Sequence, residues 1–288
     1  MTGNTAAGVS HVSDTARWVA VYRAMESERP DAIFRDPYAR RLAGERGEAI
    51  VRAMPRGRAW AWPMIVRTAV MDEIILRCVK DGARTVVNLA AGLDARVFRL
   101  DLPSSLRWFH VDFPDVVDYV RGSMASERPR CDLHWLAADL TDPAQLDAAL
   151  RSAGAEGPSL VISDGLLIYL TAEQVGRLAR ELASVDTMRW WLIDLGSPRL
   201  LKMMARMWGA KVAAGNAPFR FAPAEGTVFF APLGWREAEF RSTWVDSLRL
   251  KRSVPLARFW DALGRLRSKA TRQEMHRMSG VVLLERNM

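Results

Sequence analysis

The amino-acid sequence predicts an α/β protein with a doubly wound, mostly parallel sheet of seven strands. The first observation behind this prediction is an alternation of short apolar segments with helical segments that begins after Arg84. The second is a turn of small residues directly after the first apolar segment, and the third is an acidic residue at the end of several segments. A chain of 288 residues with 49% hydrophobic residues is long enough for a substantial core. We therefore expect one large domain with additions.

The first 80 residues carry helical patterns and no strand signal. Apolar residues recur with helical spacing after Asp14, and the Asp-Pro turn at residues 36–37 precedes a second helix that runs through Leu42. A third helical pattern covers about residues 63–80. We expect residues 1–80 to form a helical cap that packs on the rest of the chain and belongs to the same domain.

The core of the protein is predicted to lie in residues 81–288. Five apolar segments are predicted strands of a parallel sheet: Thr85–Leu89, Arg107–Val111, Asp132–Ala137, Ser159–Ile162 and Arg189–Leu195. Residues 279–286 predict a final strand. Helix start signals lie between the strands, at Asp142-Pro143 and in a capping box of Thr171 and Gln174.

A segment at about residues 196–225 is rich in Met, Ala, Gly and Pro and follows the fifth predicted strand. Its position predicts an insertion that covers a substrate as a lid. Its apolar residues Met203, Met204, Met207 and Trp208 recur with helical spacing. We expect them to pack against the cap rather than to contact the substrate.

Small residues directly follow the first predicted strand, at residues 90–92 (Ala-Ala-Gly). Small side chains let the backbone and the following helix N-terminus approach a ligand closely. Asp112 closes the next apolar segment, where a carboxylate accepts hydrogen bonds from ribose hydroxyls. Asp139 and Asp164 stand in the same way after the third and fourth predicted strands. Because the carboxyl ends of parallel strands face one crevice, the three acids predict a nucleoside site.

Arg67 lies with Val70, Met71 and Ile74 on the apolar face of the third predicted helix, so its side chain is expected to point toward the sheet. An unpaired buried guanidinium is costly and requires an anionic partner. The sequence leaves two possible partners for this guanidinium. One is an aspartate of the protein, in an internal ion pair, and the other is the carboxylate of a ligand. A nucleoside that also carries a carboxylate suggests S-adenosylmethionine.

Several motifs resemble, in order and spacing, those of the leucine carboxyl methyltransferase family. They are Arg67-Thr68, Asn88-Leu89-Ala90-Ala91-Gly92-Leu93-Asp94-Ala95-Arg96, Phe109-His110-Val111-Asp112-Phe113-Pro114, Ala138-Asp139-Leu140 and Asp164-Gly165-Leu166-Leu167-Ile168-Tyr169-Leu170. Residues 34–39 and Gly234-Trp235 fit the bacterial branch, so the resemblance covers nearly the whole chain. It implies a Rossmann-like methyltransferase fold and S-adenosyl-L-methionine as the cofactor.

The resemblance implies a role for each motif. Arg67 would hold the carboxylate of the cofactor, and the turn Ala90–Gly92 would pass under its methionine portion. Asp112, followed by Phe113, would take both ribose hydroxyls.

The motifs of the third and fourth strands would bind the remaining parts of the cofactor. Asp139 and Leu140 would frame the adenine, and Asp164 with Gly165 would lie near the amino group. Tyr169 would lie near the methyl group, which makes it the catalytic candidate. No metal is implied.

Two residues depart from the family pattern. Glycine is usual where Ala90 stands, and glutamate is usual where Asp164 stands. A methyl group at Ala90 is expected to crowd the cofactor, and the shorter Asp164 is expected to reach the amino group through water. Since Arg67 and Asp112 are retained, we expect the cofactor to bind, with reduced affinity.

Methyl transfer to an oxygen of a small molecule is the predicted reaction, with a carboxylate or phenol of a natural product as acceptor. The sulfonium methyl is already activated, so the enzyme mainly aligns the acceptor for in-line attack. A phenol or alcohol needs a base, for which Tyr169, His11, His134 and His276 are candidates. His110, inside a predicted strand, is expected to be a core residue.

Other functions remain open. A tRNA or protein-carboxyl methyltransferase and a catalytically weak S-adenosylmethionine-binding protein share the same predicted site. A nicotinamide dehydrogenase is disfavoured, because it requires Gly-x-Gly-x-x-Gly and this turn offers only Gly92.

The composition indicates which partners and which cellular location to expect. A formal net charge of +8 is spread along the chain, and it suits an anionic acceptor or an acidic carrier protein that presents one. Nucleic acid and membrane are not expected partners. No segment has the build of a signal peptide, so we expect a cytoplasmic protein. Cys78 and Cys131 form neither a disulfide framework nor a metal cluster pattern.

Overall fold

The computed structural model describes residues 13–54, 57–153, 157–214 and 218–287, with the side chains of residues 13 and 208–214 left out. Within these ranges seven strands form one sheet: β1 Thr85–Leu89, β2 Arg107–Asp112, β3 Asp132–Ala137, β4 Ser159–Ser163, β5 Met188–Gly196, β6 Trp235–Ser242 and β7 Ser279–Arg286. Their order across the sheet is β3-β2-β1-β4-β5-β7-β6. This order confirms the predicted doubly wound α/β fold.

The helices of the same ranges are α1 Ser13–Ser27, α2 Ala39–Ala53, α3 Trp62–Lys80, α4 Arg96–Arg99, α5 Pro114–Ser123, α6 Pro143–Ala153, α7 Ala172–Ser184, α8 Pro198–Ala214, α9 Thr243–Arg249, α10 Ala257–Gly264 and α11 Lys269–His276. Short 3₁₀ turns stand at Gly57–Trp60, Leu167–Tyr169 and Gly226–Leu233. None of the described helices has the length and apolar character needed to cross a bilayer.

The parallel part of the sheet creates the crevice in which a ligand can bind. β1 pairs in parallel with β2 on one side and with β4 on the other, so the chain order reverses between β1 and β4. β3 and β5 extend the two halves in parallel. In an open α/β sheet the loops diverge at such a reversal, outside the carboxyl ends of the strands.

The antiparallel part of the sheet was only partly predicted. β7 pairs antiparallel with β5 and with β6, and only β7 was expected from the sequence. β6 is an edge strand in which Glu237 and Glu239 interrupt the apolar pattern. Charged side chains are common on edge strands because they prevent pairing with other chains, so the strand lacks the apolar pattern used to find the others.

Both faces of the sheet are buried. Val86, Trp108 and Leu160 pack on one face with residues of α1, α2 and α3. Val87, Phe109 and Val161 pack on the other face with residues of α6 and α7. A sheet covered on both faces has nearly continuous apolar strands, and this is why the sequence pattern identified β1 and β4.

The three helices predicted in the first 80 residues agree with the structure except at one end. The second helix was predicted to end at Leu42, whereas α2 continues to Ala53 with a break in helical geometry at Gly44, where φ is 61°. The capping box is confirmed, since Gln174 N donates to Thr171 Oγ1 at 3.2 Å and Thr171 N donates to Gln174 Oε1 at 2.8 Å. That residues 1–80 act as a cap and residues 196–225 as a lid stays a prediction.

Candidate functional site

A cavity of about 560 Å³ lies at the carboxyl ends of the five parallel strands β1 to β5. The structure brings every predicted site residue to its lining: Arg67, Ala90, Ala91, Gly92, Asp112, Phe113, Asp139, Leu140, Asp164, Gly165 and Tyr169. These residues come from helix α3 and from the turns after four strands, so they are far apart in sequence. The sheet order explains why the turns converge.

The turn after β1 has a backbone conformation that favours glycine. Gly92 has a φ of 54°, and a Cβ at this position would come within 3.0 Å of the Cβ of Ala16 on α1. Ala90 has a φ of 49° although it carries a side chain. The departure from glycine at Ala90 therefore falls on a strained residue as well as on the cavity wall.

Asp112 connects the turn after β1 with the end of β2. Its Oδ2 accepts a hydrogen bond from Gly92 N at 2.6 Å, and its Oδ1 accepts one from Phe113 N at 2.7 Å. Burial raises the pKa of Asp112 to about 6, against the opposing effect of these two backbone donors. Asp112 is thus a carboxyl group of the cavity that changes its charge near neutral pH.

Arg67 is held by two carboxylates at the bottom of the cavity. Its Nε lies 2.8 Å from Asp164 Oδ1, and its Nη1 donates to Asp194 Oδ2 at 3.0 Å. Burial disfavours the charged guanidinium, but the two acids outweigh this effect and raise the pKa of Arg67. Gly165 N in turn donates to Asp194 Oδ1 at 2.6 Å. The internal ion pair that the sequence left open is therefore present in the structure.

A network of buried ions supports this part of the site. Arg96 lies 2.7 Å from both Asp72 and Asp94, and 3.1 Å from Asp164. Burial would raise the pKa of Asp94, but Arg96 and Arg23 outweigh burial and lower the pKa to about 2. The network connects α3 through Asp72, the turn after β1 through Asp94, and the end of β4 through Asp164.

The predicted Asp-Pro turn near residue 36 belongs to the same network. Asp36 accepts a hydrogen bond from Arg23 Nε at 2.9 Å, and Arg23 Nη2 donates to the carbonyl oxygen of Leu93 at 2.5 Å. Helix α1 is thereby tied to the turn that lines the cavity.

Asp139 has a structural role in its own turn. Its Oδ1 accepts hydrogen bonds from Thr141 N at 2.8 Å and Thr141 Oγ1 at 2.7 Å, and its backbone N–H donates to Gln145 Oε1. These bonds fix the orientation of Asp139 and of the neighbouring Leu140 at the cavity wall.

The candidates for a general base are few. Tyr169 lines the cavity, and burial raises its pKa, so its phenol is neutral at pH 7. His110 is buried, and burial lowers its pKa to about 4, as expected for a core residue. His134 pairs with Asp132 at 2.9 Å, and neither His134 nor His276 belongs to the cavity lining. His11 lies outside the described residues.

Apolar side chains form a large part of the remaining wall, among them Trp18, Met64, Leu200, Met204 and Phe219. Met204 and Met207 pack against the core that contains residues of the predicted cap, in line with the sequence. Met204 also lines the cavity.

Sequence reasoning missed two residues of the site. Asp194 stands near the end of β5, as Asp112 and Asp164 stand at or just after the ends of β2 and β4, and the same rule would have found it. Arg96 lies within a quoted motif but was given no role. In the part of the chain that the structure describes, no group of three or more His, Cys, Asp or Glu side chains is arranged to hold a metal ion.

Comparison with known proteins identifies the family. A family model described as leucine carboxyl methyltransferase matches residues 16–183. A relative in Saccharopolyspora erythraea is 38% identical over 247 residues, with 79% of this chain and 84% of that protein covered. One in Frankia alni is 32% identical over 249 residues, with 80% and 85% covered. One in Parafrankia is 36% identical over 193 residues, with 62% of this chain and 60% of that protein covered. All three relatives are named as S-adenosyl-L-methionine-dependent methyltransferases.

Solved structures share the fold at low sequence identity. A DUF574 family protein of Streptomyces avermitilis has a TM-score of 0.61 at 16% identity, with 95% of this chain and 97% of that chain covered. A methyltransferase structure from Thermobifida fusca has a TM-score of 0.61 at 14% identity, with 99% and 97% covered. The sheet order and the cavity at its reversal point define a nucleoside-binding α/β protein. The chain belongs to the leucine carboxyl methyltransferase family and is an S-adenosyl-L-methionine-dependent methyltransferase.

Proposed function

We propose that the protein transfers the methyl group of S-adenosyl-L-methionine to an oxygen of a small molecule, a carboxylate or phenol on an apolar body. One observation carries this proposal. A single cavity contains the cation Arg67, the acid Asp112 and a wall of apolar side chains. Arg67 can bind the amino-acid end of the cofactor, and Asp112 can bind its ribose. The apolar wall can hold the body of an acceptor.

The amino-acid end of the cofactor is proposed to insert between Arg67 and Asp164. These side chains carry opposite charges, and Arg67 Nε lies 2.8 Å from Asp164 Oδ1. An ammonium and a carboxylate on one carbon present the complementary pair of charges, so the ligand carboxylate would face Arg67 and the ammonium would face Asp164. Each buried ion then keeps a partner of opposite sign, which avoids the cost of an unpaired buried charge.

The nucleoside end of the cofactor is proposed to lie along the turns after β1, β2 and β3. Asp112 would accept both ribose hydroxyls, beside Phe113, and residues 90–92 would lie under the methionine portion. Asp139 and Leu140 would frame the adenine. The hydrogen bonds that hold Asp112 and Asp139 support this assignment, because they fix both side chains before a ligand arrives.

The chemical step is proposed to depend on positioning. A carboxylate acceptor attacks the activated methyl without losing a proton, and the raised pKa of Tyr169 makes this side chain a poor base at neutral pH. Tyr169 would instead orient the acceptor near the methyl group. A natural-product acid, free or presented by an acidic carrier protein in the cytoplasm, suits the net charge of +8.

The second candidate function, a catalytically weak cofactor-binding protein, is favoured by the strained Ala90. Its Cβ adds bulk where the family usually has none, at a residue with φ of 49°. The two functions differ in turnover and not in binding, so an experiment with two stages separates them.

The first stage measures binding of S-adenosylhomocysteine by calorimetry. Arg67→Gln and Asp112→Asn are expected to weaken binding at least tenfold, as loss of a charge-assisted contact of about 1.5–3 kcal/mol predicts. Arg77→Gln, on the same helix α3, and Asp118→Asn, on α5, are the matched controls and should leave binding unchanged. Equal binding by all five proteins would overturn the cofactor site.

The second stage incubates the wild-type protein with the methyl donor and a panel of apolar carboxylic acids and phenols. Mass spectrometry distinguishes a methyl ester from a methyl ether. We expect an ester or ether to form. Binding of the cofactor without transfer to any member of a broad panel would favour the weakly catalytic alternative.

A further inference from the structure

The segment between β6 and β7 exposes a row of large apolar side chains on one helical face. They are Leu256, Phe259, Trp260, Leu263 and Leu266, with exposed fractions of 71%, 57%, 52%, 47% and 84%. Their spacing places them on one side of α10 and of the turn that follows it. We refer to these five residues as the α10 row. Contiguous exposed apolar side chains usually mark an interaction surface.

Basic residues are frequent in the segment that carries the α10 row. Residues 251–272 contain seven Lys or Arg and a single acid, Asp261. Arg258, Arg265, Arg267 and Lys269 are exposed. Asp261 lies within reach of two donors, since it accepts a hydrogen bond from Trp244 Nε1 at 3.1 Å and pairs with Arg265 at 3.3 Å. The surface therefore combines apolar side chains with an excess of positive charge.

We propose that the α10 row docks on the surface of a bilayer that contains anionic lipid. A short helix with Trp, Phe and Leu on one face and Lys or Arg beside them buries its apolar face among the acyl chains, while the cations lie among the anionic headgroups. A helix bound in this way lies at the membrane surface and does not span the bilayer. It revises the expectation from the sequence that a membrane is no partner.

The charge of the surface favours a lipid over a second copy of the chain. A two-fold symmetric dimer through the α10 row would bring the same basic segment of two copies together, and like charges repel. The whole chain carries a net charge of +8, which adds to this repulsion. A bilayer with anionic headgroups supplies both the apolar phase and the opposite charge.

The α10 row is connected to the cavity lining through Trp244. Trp244 contacts α10 through Asp261, and its ring centroid lies 6.4 Å from that of Trp62. Thr243, next to Trp244, and Pro63, next to Trp62, both line the cavity. These contacts connect the docking face to the cavity lining, so docking could be coupled to the uptake of an apolar acceptor from the lipid. This coupling rests on the proposed function, whereas the docking does not.

The test is flotation of the full chain with lipid vesicles of two compositions. Vesicles of phosphatidylcholine alone are compared with vesicles in which part is replaced by phosphatidylglycerol. We expect binding to the anionic vesicles that weakens at least tenfold as salt is raised, because surface charge is screened. Failure to bind anionic vesicles, or equal binding to both compositions, overturns the proposal.

Paired variants locate the contact. Phe259→Ser/Trp260→Ser and Arg265→Gln/Arg267→Gln should each weaken vesicle binding at least tenfold. The controls are Leu76→Ser/Val228→Ser, which are exposed apolar residues elsewhere, and Arg121→Gln/Arg128→Gln, near the opposite edge of the sheet. Equal losses in test and control variants overturn the proposal.

Two further measurements keep the result independent of folding and of catalysis. Thermal unfolding and calorimetric binding of S-adenosylhomocysteine should be unchanged in the α10 variants. A dimer in light scattering that Phe259→Ser/Trp260→Ser dissociates, together with no vesicle binding, would overturn the lipid proposal in favour of a second copy of the chain.

Discussion

Ala90 has a left-handed backbone conformation, with φ at 49°. Such a conformation costs a residue with a side chain about 1–2 kcal/mol, and glycine avoids most of this cost. We predict that Ala90→Gly leaves the free energy of unfolding unchanged or raises it by up to about 1 kcal/mol. Chemical denaturation measures the change, and calorimetry should show tighter binding of S-adenosylhomocysteine.

The neighbouring Ala91 provides the control for this substitution. It does not have a positive φ, and its N–H donates to the carbonyl oxygen of Val111 at 3.1 Å. Ala91→Gly should therefore lower the free energy of unfolding by about 0.5–1 kcal/mol. The same response from both variants would show that the conformation at Ala90 is not strained.

We predict that cofactor binding depends on pH through Asp112, the proposed acceptor of the ribose hydroxyls. Its pKa of about 6 means that the carboxyl group is protonated in the free protein below this pH and ionised above it. The ionised form is the stronger acceptor for ribose hydroxyls. The affinity for S-adenosylhomocysteine should therefore rise between pH 5 and about 7 and then level off, as calorimetry across this range would show.

Two variants assign this pH dependence. Asp112→Asn should bind weakly with no rise across the range, because the titrating group is absent. Asp194→Asn should keep the rise, although burial also raises the pKa of Asp194. If the rise in affinity is lost in Asp194→Asn and kept in Asp112→Asn, the group that titrates is Asp194 and not Asp112.

Tyr169 tests the choice between positioning and general base catalysis. Loss of a general base typically costs 10²–10⁴-fold in rate, whereas loss of one orienting contact costs less. We predict that Tyr169→Phe lowers kcat less than about tenfold and leaves the shape of the pH profile unchanged. Steady-state kinetics with an accepted substrate provide the measurement. A loss above a hundredfold would identify the phenol as a participant in proton transfer.

At the scale of the elements, Arg96 joins three segments of the chain. It pairs with Asp72 of α3, with Asp94 of the turn after β1 and with Asp164 after β4. Its removal leaves the buried Asp94 without its ion-pair partner, while Asp72 keeps Arg99 and Asp164 keeps Arg67. Breaking a buried ion pair costs about 3–5 kcal/mol. Arg96→Gln should lower the free energy of unfolding by this amount in urea denaturation.

Arg151 is the control for this prediction. It forms an exposed ion pair with Asp147 on α6, with 72% of its side chain accessible. Exposed pairs contribute only about 0.2–1 kcal/mol, so Arg151→Gln should have a small effect. Similar losses in the free energy of unfolding of the two variants would show that the buried network stabilises the protein no more than an exposed ion pair does.

The elements differ in how well they could be predicted. β1 and β4 were found because burial on both faces requires apolar residues throughout, and the helix α7 because its capping box is a local signal. β6 was missed because an edge strand with two glutamates has no such pattern. α10 was missed as well, although Leu256, Phe259 and Trp260 recur with helical spacing, and the sequence pattern gives no sign that this apolar face is exposed.

At the scale of the whole molecule, the sequence predicted which residues line the cavity but not how they pair. The rule that carboxyl ends of parallel strands meet is sufficient for Asp112 and Asp164. The partner of Arg67 depends on distances of a few ångströms between α3, β4 and β5, and these are set by packing. A one-dimensional pattern contains no such distances, so the internal pair with Asp164 and Asp194 stayed an open alternative until the structure was known.

The position of β7 has a consequence for synthesis. This strand comprises residues 279–286, yet it lies between β5 and β6 in the interior of the sheet. Until these residues have left the ribosome, β5 has an open hydrogen-bonding edge and β6 has no neighbour to pair with. A nascent chain with an unpaired strand edge is prone to aggregation, so the pairing of β7 removes such an edge only late in translation.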